Sequence, residues 1–302
     1  MRVAFAGTPD AAVPTLTALL DSEHEVAFVV TRPDAPKGRG RVLTPSPIAE
    51  VASTNGIRTL KPAKLTEIAN EFVDVDCVVV VAYGGLVPRE LLEVPKHGWI
   101  NVHFSLLPHW RGAAPVQYAI LSGDDVTGVT TFQIDEGLDT GPMLAYLTTS
   151  IYSSEAATDL LDRLAIEGAQ LALATVAGLQ TGAIHPLHQP IDGISHAPKI
   201  TVEDARIRWS DPALAVDRRI RAVTSEPGAW SMFGDVRYKI DPVELQPDVA
   251  DLAPGQVELR DGKVLVGTGS HAVSLRTLQE SGRNPVAAKA WFNNQSSAVI
   301  FA

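Results

Sequence analysis

The densest chemistry in the chain lies between His97 and Gln117, in HGWINVHFSLLPHWRGAAPVQ. An apolar run there ends in Asn101-Val102-His103. Residues two apart on a strand project from the same face, so an amide and an imidazole would point the same way. In an open α/β sheet, ligands gather at the carboxyl ends of the strands, where this pair falls. An amide N–H beside an imidazole suits a carbonyl oxygen that is becoming an oxyanion, and the imidazole also moves protons near neutral pH. A capped strand end with a satisfied histidine is the plainer alternative for His103. Downstream, Asp135-Glu136-Gly137-Leu138-Asp139-Thr140-Gly141 sets Asp139 in a glycine-flanked turn. A turn aspartate often bonds its own backbone. Hydrogen-bonded to a histidine instead, it would fix the tautomer and favour the imidazolium. Asn101, His103 and Asp139 together would form an electrophilic site with a proton shuttle.

Other chemistries are poorly represented. The chain has no G-x-S-x-G elbow and no Walker A loop, and Gly7-Thr8-Pro9 after the first strand is not a dinucleotide-binding glycine fingerprint. His185 and His188 have loose metal-like spacing, but they lie among prolines with no carboxylate or cysteine nearby, so no metal site is expected. The lone cysteine, Cys77, opens the run CVVVVA and reads as a buried small hydrophobe. A basic stretch, TRPDAPKGRGRVLTPSP from Thr31 to Pro47, sets Arg32, Lys37, Arg39 and Arg41 against the single acid Asp34. It is either a solvated loop or a basic finger for a polyanion. Arg218, Arg219 and Arg221, with Arg206 and Arg208 before them, form a second cluster that reads as solvated helix charge.

The elements that must position these residues alternate between strand and helix. Arg2 to Ala6, Glu25 to Thr31, Asp76 to Ala82 and Trp99 to His103 read as strands, and Val126 to Ile134 as a β-rich alternating run. Ala11 to Leu20, Ile48 to Ser53, Lys64 to Phe72 and Ala114 to Leu121 read as helices. Ser46 stands ready to cap the second of these, with Pro47 at its first position. The order predicts a Rossmann-like, mostly parallel sheet with helices on both faces, closed by a long helix from Glu155 to Leu179. Pro186, Pro190 and Pro198 then mark a linker. Short strands follow, with Gly234-Asp235 and Asp261-Gly262 as hairpin turns, which predicts a smaller C-terminal β-barrel or sandwich.

The length of 302 residues suits two domains. The composition, 45% hydrophobic and 20% charged, is that of an ordinary globular protein. A net charge of −10 argues mildly against nucleic acid, although a local basic patch can sit on an acidic protein. No apolar run approaches the roughly 20 residues of a membrane span. The N-terminus reads as a strand and turn, not a signal peptide, and one cysteine allows no internal disulfide. The expectation is a cytoplasmic protein.

Four stretches together resemble the methionyl-tRNA formyltransferase family: FAGTPDAAVP, RPDAPKGRGRVLTPSP, NVHFSLLPHWRGAAPVQ and GVTTFQIDEGLDTGPML. The N-x-H…S-L-L-P…D-x-G core is shared by a wider set of 10-formyltetrahydrofolate-dependent enzymes. The W-R-G-A-A-P extension and the basic loop are more specific to the tRNA branch. The resemblance implies Asn101, His103 and Asp139 as the catalytic trio. It implies a folate site bordered by Ser105, Leu106, Leu107 and Pro108 and by Tyr83, Gly84 and Leu86 of the loop running to Pro88. Arg39, with Lys37 and Arg41, would meet tRNA. A catalytic domain over 1–183, a linker over 184–205 and an OB-like tRNA-binding domain over 206–302 are expected. The formyl donor would be 10-formyltetrahydrofolate, a cosubstrate and not a tightly held cofactor. The acceptor would be initiator methionyl-tRNA, with no obligate protein partner. Phe104 stands where some members carry a small residue, and His109 where others carry arginine. The alternative is a related formyltransferase or hydrolase acting on a small amine or nucleotide sugar.

Overall fold

A computed structural model describes residues 1–37, 40–296 and 298–302; Arg39, together with the Lys37 side chain, lies outside the described residues. The chain divides into two compact units. The first comprises 1–115, 126–150 and 161–196, and the second comprises 116–125, 151–160 and 197–302.

In chain order the elements up to the long helix are β1 (Arg2–Gly7), α1 (Val13–Leu20), β2 (Glu25–Val30), β3 (Ala35–Lys37), β4 (Val42–Thr44), α2 (Pro47–Thr54), β5 (Thr59–Leu60), β6 (Cys77–Val81), α3 (Arg89–Leu92), β7 (Trp99–His103), α4 (Pro115–Ser122), β8 (Val126–Gln133), β9 (Met143–Ser150) and α5 (Ala157–Thr181). Seven strands form one sheet in the order β5-β2-β1-β6-β7-β8-β9. The first five run parallel, as the alternation of elements predicts. β8 and β9 turn back antiparallel. Every residue of β6 is buried, as is all of β1 after Arg2, which is how a central strand covered on both faces reads in sequence. The Cys77 thiol, inside β6, is pushed up to about 12 by burial, so it is inert packing. Under one face Phe72 lies 4.8 Å from Trp99 and 5.7 Å from Phe28, ring centre to ring centre, and the Trp99 indole donates to Leu91 O at 2.7 Å. The α2 start forms as its sequence predicts, with the Ser46 hydroxyl accepting from Ala49 N at 3.1 Å.

Three segments differ from the expectation. Leu65–Phe72 forms 3₁₀ turns broken at Ile68 (φ −121°, ψ 22°), not one α-helix. It buries only Leu65 and Phe72 and has no side-chain N-cap, so little holds a longer helix together. β9, absent from that expectation, is an edge strand with no fully buried residue, and from Tyr146 on its residues alternate between exposed and half-buried. The stretch read as a linker is not free chain as far as His196. Leu187 pairs with Met143 of β9 through two backbone hydrogen bonds, and Arg111 bridges to His196.

The second unit continues with α6 (Ala213–Ala222), β10 (Trp230–Phe233), β11 (Val236–Ile240), β12 (Glu244–Gln246), β13 (Gln256–Arg260), β14 (Lys263–Val266), β15 (Ala272–Leu275), β16 (Thr277–Glu280), β17 (Val286–Ala287), α7 (Ala288–Asn293) and β18 (Val299–Ile300). Its strands form two antiparallel sheets, β10-β11-β16-β17 and β12-β15-β14-β13-β18. Trp209, Tyr238, Trp291 and Phe301 fill the core between them. The Asp261-Gly262 turn joins β13 to β14 with both residues at positive φ (50° and 79°), the geometry that an aspartate-glycine hairpin turn requires. Arg221 is not a solvated charge. It is buried, pairs with Asp217 at 2.8 Å and donates to Glu155 O at 3.0 Å.

Candidate active site

Three loops at the carboxyl ends of β6, β7 and β8 converge within the first unit. β6 ends in Ala82, which turns the chain through a φ of 47° into the Tyr83–Pro88 loop. β7 ends in Asn101 and His103 on one face, paired opposite Phe132 and Thr130 of β8. The turn between β8 and β9 brings Asp139 across to them. Together these loops border a cleft of about 770 Å³ lined by Asn101, His103 and Asp139, with Tyr83, Gly84 and Leu86 on one wall and Gly112 on the other. That volume falls within the usual range for a small-molecule site.

His103 is buried, and its Nε2 lies 2.9 Å from Trp110 O. A carbonyl only accepts, so the network assigns the neutral ring's proton to Nε2 and leaves the Nδ1 lone pair free. Nδ1 faces the Asp139 carboxylate at 3.8 Å. Burial pushes the His103 pKa below its ordinary 6.5, against the Asp139 charge and the Trp110 carbonyl, which raise it. The resting imidazole is therefore neutral at neutral pH, with a carboxylate placed to steady it once protonated. The Asn101 amide makes no side-chain hydrogen bond among the described residues and lines the same cleft.

The two aspartates of the turn have different work. Asp135 Oδ1 accepts from Gly137 N at 3.0 Å and Thr140 Oγ1 at 2.7 Å, so it is the aspartate that stabilises its own turn. Asp139 Oδ2 accepts instead from Gly112 N at 2.7 Å, across the cleft mouth. Asp139 holds a φ of 53°, where a non-glycine residue is uncommon, and Trp110 holds 59°. A side chain at Gly141 would stand 1.8 Å from Gln133 O, so the second glycine of the D-x-G pattern is sterically required.

The structure thus gathers Asn101, His103, Asp139, Tyr83, Gly84 and Leu86. It does not bring Ser105, Leu106, Leu107 or Pro108 to the cleft wall. Ser105 is fully buried and donates to His109 O at 2.5 Å. Leu107 N donates to Thr130 Oγ1 at 3.1 Å, and that hydroxyl donates to Ser105 O at 2.7 Å. Leu106 Cδ2 would lie 2.6 Å from any side chain at Gly128. The S-L-L-P stretch is therefore tied to β8, through Thr130 and through Leu106 beside Gly128, with Leu107 and Pro108 buried and Leu106 half-buried. Arg41 lies exposed between β3 and β4, far along the chain from the trio, and Arg39 falls outside the described residues. Among the described residues no group of three His, Cys, Asp or Glu is arranged to hold a metal, and no helix is long and apolar enough to cross a membrane.

Residues that the sequence pattern misses stand behind the trio. Trp110 anchors His103 through its carbonyl, and its own N donates to Ser195 Oγ at 2.9 Å. Gln189 reaches the Asp139 turn. Ser195 and Gln189 lie in the proline-rich stretch, where no periodicity marks them.

An amide and a neutral imidazole at the carboxyl end of one strand, with a carboxylate across the cleft, suit acyl transfer, and the class is set by two family models. The formyl transferase family model matches residues 1–176, and the model of the formyl transferase C-terminal domain matches residues 199–296. The chain is 52% identical over 301 residues to a methionyl-tRNA formyltransferase of Streptomyces coelicolor, covering 96% of each chain. It is 50% identical over 306 residues to that of Arthrobacter sp. strain FB24, covering all of both. The chain belongs to the methionyl-tRNA formyltransferase family. Its fold also matches WlaRD, a sugar 3N-formyl transferase, with a TM-score of 0.72 at 17% identity over 94% of this chain and 99% of that one. HypX from Aquifex aeolicus, solved in complex with tetrahydrofolic acid, matches with a TM-score of 0.68 at 19% identity, covering 100% of this chain and 51% of that one.

Proposed function

We propose that the chain transfers the formyl group of 10-formyltetrahydrofolate to the amino group of methionine carried on initiator tRNA, in the cytoplasm. The observation that carries this reading is His103 at the cleft beside Asn101, with Nε2 held by Trp110 O and Nδ1 3.8 Å from the Asp139 carboxylate. The methionyl nitrogen attacks the formyl carbon, and the carbonyl oxygen becomes an oxyanion. Asn101 donates an amide N–H to that oxygen. His103 Nδ1 takes the proton that the attacking nitrogen sheds, and Asp139 stabilises the imidazolium. The C–N10 bond then breaks. The N10 nitrogen takes the proton back from Nδ1, leaving a formamide and tetrahydrofolate with no net proton gained by the protein. Trp110 O holds Nε2 throughout and so keeps the working nitrogen aimed into the cleft.

Within this reading the donor lies along Tyr83, Gly84 and Leu86, whose loop forms one wall of the cleft. The tRNA acceptor is supported by the whole-length similarity to enzymes of that name and by the basic stretch of Lys37, Arg39 and Arg41. The test supplies 10-formyltetrahydrofolate with methionyl-initiator tRNA in one reaction and with a nucleotide-linked amino sugar in another. N-formylmethionyl-tRNA as the product supports the reading. Formylation of the sugar amine alone, or release of free formate with intact acceptor, overturns it.

A further inference from the structure

Gln189 is 50 residues from Asp139 in sequence, yet its side-chain amide is engaged at both ends beside the site. Its Nε2 donates to Asp139 O and to Gly141 O, each at 2.8 Å. Its Oε1 accepts from Arg111 Nε at 3.1 Å and from Arg111 Nη2 at 2.6 Å. Arg111 is itself buried, and its backbone N donates to Ser195 O at 2.9 Å. One amide therefore ties the loop that follows β7 to the turn that follows β8. That turn needs an external tie. Asp139 sits in the left-handed region, its carboxylate reaches 2.7 Å from Gly112 N, and no hydrogen bond links it directly to His103 at 3.8 Å. The two carbonyls that Gln189 holds belong to the residues on either side of Thr140. Fixing both sets the direction in which Asp139 projects.

We infer that Gln189 is a positioning residue for formyl transfer: by holding the Asp139 and Gly141 carbonyls, it keeps the Asp139 carboxylate facing His103 Nδ1. This rests on the reading of Asn101, His103 and Asp139 as the catalytic trio. No bond or proton changes at Gln189 itself. Its amide orients a group that acts on another, as outer-shell partners do at metal sites.

The test measures kcat and KM, with 10-formyltetrahydrofolate and methionyl-tRNA, for the full chain and for Gln189→Ala, Gln189→Glu, Asp139→Ala and the double variant Asp139→Ala/Gln189→Ala. Gln189→Glu keeps the oxygen that Arg111 binds and removes both N–H donors. It separates aiming Asp139 from holding Arg111, and it stands in should Gln189→Ala fail to fold. Both Gln189 variants should lose about 10- to 100-fold in kcat, the scale of a small misplacement, with little change in the donor KM because Gln189 does not touch that wall. The double variant should be no slower than Asp139→Ala, since the two act as one unit. Wild-type kcat in Gln189→Glu overturns the inference, and so does an equal further loss when Gln189→Ala is added to Asp139→Ala. Wild-type turnover in Asp139→Ala overturns the trio reading and the role of Gln189 with it. A slow Asp139→Ala beside a normal Gln189→Glu overturns the role of Gln189 alone.

Discussion

His103 carries its pKa in its surroundings. The ring is buried, one nitrogen is tied to a carbonyl, and burial outweighs the nearby carboxylate. The folded protein therefore resists protonating it, while the unfolded chain takes a proton at about the ordinary 6.5. Stability gained by keeping this ring neutral is complete above that value and is lost as pH falls below it, down to the lower folded pKa. His24 and His97, also pushed down by burial, act in the same direction. Carboxylates such as Glu71 and Asp204 are held below their ordinary 4.5 and 3.8, so they act in a lower window. The melting temperature should fall between pH 7.5 and 5.5, and His103→Gln should flatten that slope. Calorimetry at three pH values checks it, and an unchanged slope in the variant would assign the effect to other groups. Asn101, His103 and Asp139 were legible in the sequence because strand period and a glycine-flanked turn put them at predictable places. Trp110, Gln189 and Ser195 were not. They act through backbone carbonyls and amides, and a hydrogen bond to a carbonyl leaves no mark in residue type. The S-L-L-P stretch lies outside the cleft lining, a placement the sequence does not mark, since apolar residues beside a cleft and apolar residues behind its loop look alike.

At the scale of elements, the proposed site depends on a β8–β9 turn with no room for a side chain at Gly141. At Gly141 a Cβ would stand 1.8 Å from Gln133 O, a backbone atom at the end of β8 and not a flexible side chain. Gly141→Ala should cost roughly 1–3 kcal/mol through steric overlap and slow transfer further by shifting Asp139. Urea unfolding with kinetics on the same sample reads both effects. An alanine variant with wild-type midpoint and rate would show that the turn is slack. The central strands β1 and β6 were legible as unbroken apolar runs, and α2 from its Ser46-Pro47 start, since buried parallel strands and caps write themselves into local sequence. β9 was not, because it is an edge strand with no fully buried residue and its second half alternates into solvent. The proline-rich stretch reads as a connector from composition. Its backbone pairs with β9 and its side chains brace the loop after β7, and both contacts are long-range.

At the scale of the whole molecule, an enzyme of net charge −10 must meet a polyanion through few cations. Lys37, Arg39 and Arg41 lie within five residues of one another, and Arg41 is exposed. Arg39→Ala should raise the KM for tRNA and leave the donor KM alone. If Arg39 meets a phosphate, the salt dependence of tRNA binding should flatten by about one counterion. Identical kinetics at two salt concentrations would leave this stretch a solvated loop. The family follows from features spread over the chain, but the proposed chemistry comes down to two side chains on one strand end. The most direct test is the single-turnover rate of formyl transfer to methionyl-tRNA in Asn101→Ala and His103→Ala, with melting curves to confirm folding. Both variants should remain folded, bind tetrahydrofolate, and transfer roughly 10²–10³-fold more slowly, the usual cost of losing an oxyanion donor. A folded His103→Ala that transfers at close to the wild-type rate would contradict the assignment of this cleft as the reacting centre.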